Sequence, residues 1–189
     1  KIIINKCDNL IDNICNDLER DKVLGIVRGR MEFGPRSLCN RSIFYKTSDI
    51  TINKWLNQRM KRTEFMPFAP FIRNEIAKKA FQDYKENDDT FDFMTSTVKC
   101  NEIFKKKCPA VTHLDKTARP QVIYKNKDPF LWKLLKKWEK KSGEMSLVNT
   151  SFNAHEEPII CNEKEAINAL KTKMIDVLYI EGFRLTSTL

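Results

Sequence analysis

Apolar residues recur at helical spacing soon after the chain begins. Leu10, Ile11, Ile14, Cys15 and Leu18 fall on one side of a helix that Asp8 can cap and that runs to about Arg20. The period then changes: Val23-Leu24-Gly25-Ile26-Val27 is short, branched and apolar, with charge before it and Gly29 after, and predicts a buried strand. Residues 29–38 follow no period and predict an irregular segment that holds two of the five glycines. Residues 42–45 read as a further short strand, and Asp49 caps a helix whose apolar side is Ile52, Trp55, Leu56 and Met60. Pro67 and Pro70 make residues 66–72 extended, with a brief helix over 75–81 and a mobile acidic loop over 83–92.

Residues 110–114 and 121–124 have the pattern of strands joined by a turn-rich segment. Asp128-Pro129 then opens the clearest helix, with Asp as cap, Pro at the first helical position, Phe130, Leu131, Leu134, Leu135 and Trp138 on one face, and Gly143 ending it. Residues 145–148 form a strand that runs into Asn149-Thr150-Ser151-Phe152-Asn153, and residues 158–161 form another. Asn162 with Glu165 gives a capping-box start to a helix through about Thr172, and strands at 177–180 and 183–185 close the chain. Strands and helices mix without strict alternation, which predicts an α+β or mixed α/β fold, a twisted mixed sheet with packed helices. No internal repeat or clean linker interrupts the pattern, so the 189 residues read as a single domain.

Composition narrows the class. The hydrophobic fraction of 41% with 31% charged residues is that of a globular chain, and no run approaches a spanning segment. The opening Lys1-Ile2-Ile3-Ile4-Asn5 is too short for a signal sequence and lacks an initiator Met, as a piece of something longer would. Cys7, Cys15, Cys39, Cys100, Cys108 and Cys161 show no Cys-x-x-Cys spacing, and with only His113 and His155 beside them a zinc site is not expected. The cysteines read as reduced thiols in a cytoplasmic setting.

A net charge of +9 points to an anionic partner. Between Arg20 and Arg62 stand eleven basic residues against three acids, and seven of the eleven are among the chain's ten arginines. Planar guanidinium forks suit bidentate phosphate contact, so this third is the expected phosphate site. Lys133, Lys136, Lys137, Lys140 and Lys141, on one predicted helix, read as solvated surface or as an RNA-facing stripe. Gly29 and the run Gly34-Pro35-Arg36-Ser37 permit close approach of backbone to a ligand with Arg36 and Arg41 nearby, or form a structural turn. Asn149-Thr150-Ser151-Phe152-Asn153 offers hydroxyl and amide groups at a strand end, for a phosphate or ribose or for a turn of its own. His113, with Asp115 and Arg119 near it in sequence, reads as a core strand histidine rather than a proton carrier.

The run Gly29-Arg30-Met31-Glu32-Phe33-Gly34-Pro35-Arg36-Ser37-Leu38-Cys39-Asn40-Arg41-Ser42-Ile43 closely resembles the GRMEFGPRALGNRSI signature of the carbamoyltransferase family that includes the nodulation protein NodU and the antibiotic O-carbamoyltransferases. Four further blocks agree in order: Arg62-Thr63-Glu64-Phe65-Met66-Pro67-Phe68-Ala69-Pro70, Pro109 through Asp115, Thr117-Ala118-Arg119-Pro120-Gln121, and Asn149 to Asn153 with Glu157-Pro158-Ile159. The resemblance covers nearly the whole chain and implies a C-terminal, YrdC-like domain without its N-terminal actin-like partner. It implies that ATP, with Mg2+, and carbamoyl phosphate give carbamoyl-adenylate with loss of pyrophosphate, and that the N-terminal domain transfers the carbamoyl group to an acceptor hydroxyl. A YrdC-like module that binds nucleotide or RNA without catalysis is the alternative.

Carried over residue by residue, the resemblance gives Arg36 to the phosphate or carbamoyl group and Arg119 to a second phosphate contact, with Arg41 nearby. Ser151 and Asn153 match a nucleotide-binding Ser-x-Asn element. A Lys-x-Arg element falls on Lys61 and Arg62 or on Arg59 and Lys61. No metal site within the protein is implied. Met66 stands where many members carry Arg, and Cys39, Lys116 and Glu156 stand where the family carries glycine. The NodU-like branch of the family tolerates the last of these, whereas Cys39 and Lys116 require backbone angles open to residues with side chains, or a small loop shift.

Overall fold

The computed structural model describes residues 1–63 and 66–188; Glu64 and Phe65 of the second motif block lie outside the described residues, as does Leu189. In chain order the elements begin with β1 (Ile2–Lys6), α1 (Leu10–Glu19), β2 (Leu24–Val27), β3 (Arg41–Lys46), α2 (Ile52–Arg59), β4 (Ala69–Arg73) and α3 (Asn74–Ala80). They continue with β5 (Val98–Lys99), α4 (Glu102–Lys107), β6 (Thr117–Ala118), β7 (Gln121–Ile123) and α5 (Pro129–Ser142). The last are β8 (Ser146–Ser151), α6 (Glu163–Lys171), β9 (Val177–Ile180) and β10 (Phe183–Ser187). The fold is mixed α/β, as expected. No helix among the described residues is long and apolar enough to cross a membrane.

Lys1–Tyr45, Lys54–Met66 and Asn149–Leu189 form one compact unit, and Lys46–Asn53 with Pro67–Val148 a second. In the first unit the strands run β1-β10-β9-β2-β3, with β2 parallel to β9 and the other pairs antiparallel. All four residues of β2 are buried, the environment its unbroken apolar run predicts. A Cβ on Gly25 would lie 2.7 Å from the Phe152 ring and 2.5 Å from Ile175, so glycine there lets Phe152 seat against the strand. The helix α1 buries Ile14, Cys15 and Leu18, but its cap is Asn9, not Asp8. Asn9 immediately precedes the first helical residue, which lets its Oδ1 accept the Asp12 N–H at 3.2 Å. The buried Asp17 accepts two bonds from the Arg184 guanidinium and one from the Tyr179 hydroxyl, tying α1 to the sheet.

Two further segments of this unit differ from the sequence pattern. β1 was not foreseen, because its three successive isoleucines show no alternation. Residues 158–161 form no strand: the Ile160 N–H goes to Phe152 O at 3.0 Å and the Cys161 N–H to the Glu165 carboxylate at 2.6 Å. Those amides serve a turn and a helix cap instead of a ladder. The capping box of Asn162 and Glu165 on α6 is present as read.

In the second unit β4 runs parallel to β7, β5 pairs antiparallel with β6, and α5 buries Leu131, Leu134, Leu135 and Trp138. Asp128 caps α5 and Gly143 ends it at φ 78, both as predicted. Residues 110–114 are not a strand; a 3-10 turn spans Pro109–Val111, led by the proline, and His113 lies in the turn that follows. The acidic segment is anchored rather than loose. Phe91 is buried against Tyr84, with ring centroids 5.2 Å apart, and Lys127 pairs with Asp89 and Asp92.

Cys39, Lys116 and Glu156, the residues at family glycine positions, have φ of 74°, 67° and 61°. The backbone keeps the left-handed conformation although each residue carries a Cβ, at a cost of roughly 1–2 kcal/mol each. Lys116 and Glu156 are exposed, so Lys116→Gly and Glu156→Gly remove strain without opening a cavity. After the extra entropy glycine gives the unfolded chain, each is expected to stabilise by about 0.5–1 kcal/mol, read as a higher urea midpoint at unchanged m-value. Cys39 is fully buried, so Cys39→Gly adds a void that offsets the gain.

Candidate functional site

The signature loop between β2 and β3 is held by two charged side chains working in opposite senses. Glu32 Oε1 accepts the backbone N–H groups of Leu38, Asn40 and Arg41 at 2.7, 2.7 and 3.0 Å. The Arg41 guanidinium donates to the carbonyls of Arg28, Gly29 and Asn40 at 2.9, 3.0 and 3.1 Å. A loop with too few internal backbone bonds thus gains six from side chains within its own motif. Arg41, expected at a phosphate, is 8% exposed and committed to these carbonyls. Arg36, between the two anchors, is half-buried and makes no hydrogen bond or ion pair among the described residues.

The strand-end corner after β8 meets this loop. Asn149 Nδ2 donates to Ser37 O at 2.9 Å, and the Phe152 N–H donates to Arg41 O at 3.2 Å, so the corner holds the stretch that immediately follows Arg36 at two points. Phe152, the one apolar residue of the corner, is fully buried and anchors it, leaving its polar neighbours to point elsewhere. Ser151 Oγ donates to Asn153 Oδ1 at 2.6 Å, and Asn153 Nδ2 donates to Glu157 O at 2.7 Å. The Ser-x-Asn pair is therefore pre-oriented as a chain of directed bonds.

The third segment follows α2. Arg62 donates to Thr150 Oγ1 at 3.1 Å and Ser151 Oγ at 3.3 Å, and burial lowers its pKa below the ordinary value. Arg59 bonds Lys173 O and forms a two-point pair with Asp176, 2.6 Å at the closer contact. Burial alone would raise the Asp176 carboxyl, but Arg59 and the Val23 N–H outweigh it and hold the pKa below the usual range. Lys61 differs from both: it is exposed, makes no side-chain bond among the described residues, and has φ 57. A cleft of about 320 Å3 in this unit is lined by Arg59, Lys61, Asn153, Glu157, Glu165 and Asn168, among others.

The structure thus gathers Arg36, Arg41, Arg59, Lys61, Arg62, Ser151 and Asn153 onto adjoining segments of the first unit. It separates them by employment: Arg41 and Arg59 are occupied with the fold, Arg62 with the corner hydroxyls, and Arg36 and Lys61 with neither. Arg119 belongs to the second unit. There burial lowers the His113 pKa, with Asp115 opposing the shift and Arg119 adding to it. The role of Glu32 was not read from the sequence, and its one signal there is that it is an acid among the eleven cations between Arg20 and Arg62.

A family model described as carbamoyltransferase C-terminus matches residues 15–187. The nodulation protein NolNO of Sinorhizobium fredii is 33% identical over 183 residues, which cover 96% of this chain and 27% of the relative. The 3'-hydroxymethylcephem-O-carbamoyltransferase of Amycolatopsis lactamdurans is 31% identical over 149 residues, covering 79% of this chain and 28% of the relative. The chain therefore spans less than a third of the length of these relatives. Among solved structures, full-length HypF in a phosphate- and nucleotide-bound form superposes with a TM-score of 0.60 at 20% identity, covering 95% of this chain and 22% of that one. That likeness supports a shared fold. With its signature loop, its Ser-x-Asn corner and a family match over nearly all its residues, the chain belongs to the carbamoyltransferase family, in which it corresponds to the C-terminus.

Proposed function

We propose that this chain forms or holds carbamoyl-adenylate, made from ATP and carbamoyl phosphate, for transfer to an acceptor hydroxyl by an N-terminal actin-like domain. The observation that carries the reading is the pairing of two uncommitted cations, Arg36 and Lys61, with a pre-oriented Ser151–Asn153 corner on hydrogen-bonded segments of one unit. Adenylation builds negative charge at the α-phosphate. Catalysis is then mainly positioning and electrostatic stabilisation, which need cations held near a fixed frame and free of internal partners. In this reading Arg36 holds the phosphate or carbamoyl group, Lys61 a phosphate, and Ser151 and Asn153 the nucleotide. Arg41, Arg59 and Arg62 shape the frame. The cleft beside Lys61 and Asn153 takes the nucleoside. Mg2+ enters on the triphosphate, and a reaction that draws on ATP and carbamoyl phosphate belongs to the cytoplasm.

The competing reading, an RNA-binding module, draws on the five exposed lysines of α5. Isothermal titration with Mg-ATP and with a structured RNA, each at two salt concentrations, separates the two. Saturable ATP binding with a shallow salt slope is expected. RNA binding that falls steeply with salt, with no heat from ATP, would reverse the assignment.

A further inference from the structure

We infer that His155 is a positioning residue that clamps the turn carrying Lys61 against the Ser151–Asn153 corner. The inference rests on the nucleotide reading for what the turn does, and on contacts alone for how it is held. Lys61 sits in the left-handed region at φ 57, a conformation that a residue with a Cβ keeps only where its surroundings over-determine it. One side of those surroundings is α2, whose last turn takes the Lys61 N–H at Gln58 O and the Arg62 N–H at Asn57 O, both at 2.9 Å. The other side is His155. Its backbone N–H donates to Met60 O at 3.0 Å, and its Nε2 lies 3.0 Å from Thr63 Oγ1. A single residue therefore grips the turn just before and just after Lys61 and Arg62.

The grip is transmitted to the corner because His155 is rooted in it. Residues 153–157 form a turn closed by Asn153 Nδ2 to Glu157 O at 2.7 Å and by the Glu157 N–H to Ala154 O at 3.3 Å. Arg62 closes the other end of the same frame through Thr150 and Ser151. Met60, fully buried, keeps the turn from shifting along α2. Lys61 is left as the one polar side chain of residues 60–63 with no hydrogen-bonding partner among the described residues, on the wall of the cleft. The Thr63 hydroxyl both donates and accepts, so it can pair with Nε2 in either tautomer of the ring.

The test compares wild type with His155→Ala, Thr63→Val and His155→Gln, the glutamine amide standing in for Nε2. Trypsin reports the turn directly, through cleavage at the Lys61–Arg62 and Arg62–Thr63 bonds relative to cuts in the second unit. Calorimetric Kd for Mg-ATP reports its consequence. His155→Ala and Thr63→Val are each expected to raise turn cleavage and weaken ATP binding about fivefold, the weight of one hydrogen bond, and the double variant no further. His155→Gln should restore both. Cleavage unchanged in His155→Ala, or a raised cleavage rate with an unchanged Kd, overturns the inference. If wild type itself binds no ATP while cleavage rises and Gln restores it, the clamp stands and the nucleotide reading fails.

Discussion

Arg36→Ala is expected to depress ATP–pyrophosphate exchange about a hundredfold or more, the loss that follows removal of one preorganised charge-stabilising contact. Its effect on stability should stay within about 0.5 kcal/mol, because the guanidinium has no internal partner to orphan. Few substitutions separate chemistry from folding so cleanly, since most buried or half-buried arginines here hold carbonyls or carboxylates. Lys137→Ala, on the exposed face of α5, should leave exchange within about twofold of wild type, as a solvated surface change does. Equal losses from Arg36→Ala and Lys137→Ala would mean that the exchange assay senses net charge, and the assignment of Arg36 would go with it.

Glu32→Ala should destabilise by about 3 kcal/mol, because three backbone N–H groups lose their shared acceptor at once. Solvent rescues part of the loss at a half-buried site, which keeps the figure near the low end for three orphaned donors. Glu32→Gln retains an oxygen acceptor but not its charge and should cost about 1 kcal/mol. Urea denaturation measures both. The same variants should lower exchange, Ala more than Gln, since the loop that presents Arg36 no longer has one conformation. Glu32→Ala thus lowers stability and activity together, whereas Arg36→Ala lowers activity alone. A Glu32→Ala protein with a wild-type urea midpoint would show that the loop is fixed by something other than this carboxylate.

The contrast between these two residues shows what could be read along the chain. Glu32 and Arg36 lie four positions apart in one motif, both charged, and nothing in spacing says that one builds the loop and the other is displayed by it. The same holds for the arginines at the end of α2 and beyond. Arg59 is occupied by Asp176, 117 positions away, and Arg62 by Thr150 and Ser151, 88 and 89 positions away. Sequence reading treated them as equivalent candidates because charge and composition are local properties, whereas employment depends on a distant partner.

Elements whose signals are local came through the sequence with little error. The cap, proline and glycine of α5 and the capping box of α6 act within a few residues, so each could be placed before any tertiary contact was known. The left-handed backbone at Cys39 and Lys116 was also foreseeable from the resemblance, which sets them at glycine positions, and Glu156 shares it. Segments whose state depends on who takes their amides did not come through. Residues 158–161 have a strand's composition but give their N–H groups to Phe152 and Glu165, and β1 exists because β10 is there to pair with it. By itself, then, the sequence determined the mixed α/β class, both ends of α5, the capped start of α6 and the family. The tertiary structure decided which cations remain available to a ligand, because a guanidinium is spent or free according to neighbours brought to it from elsewhere in the chain.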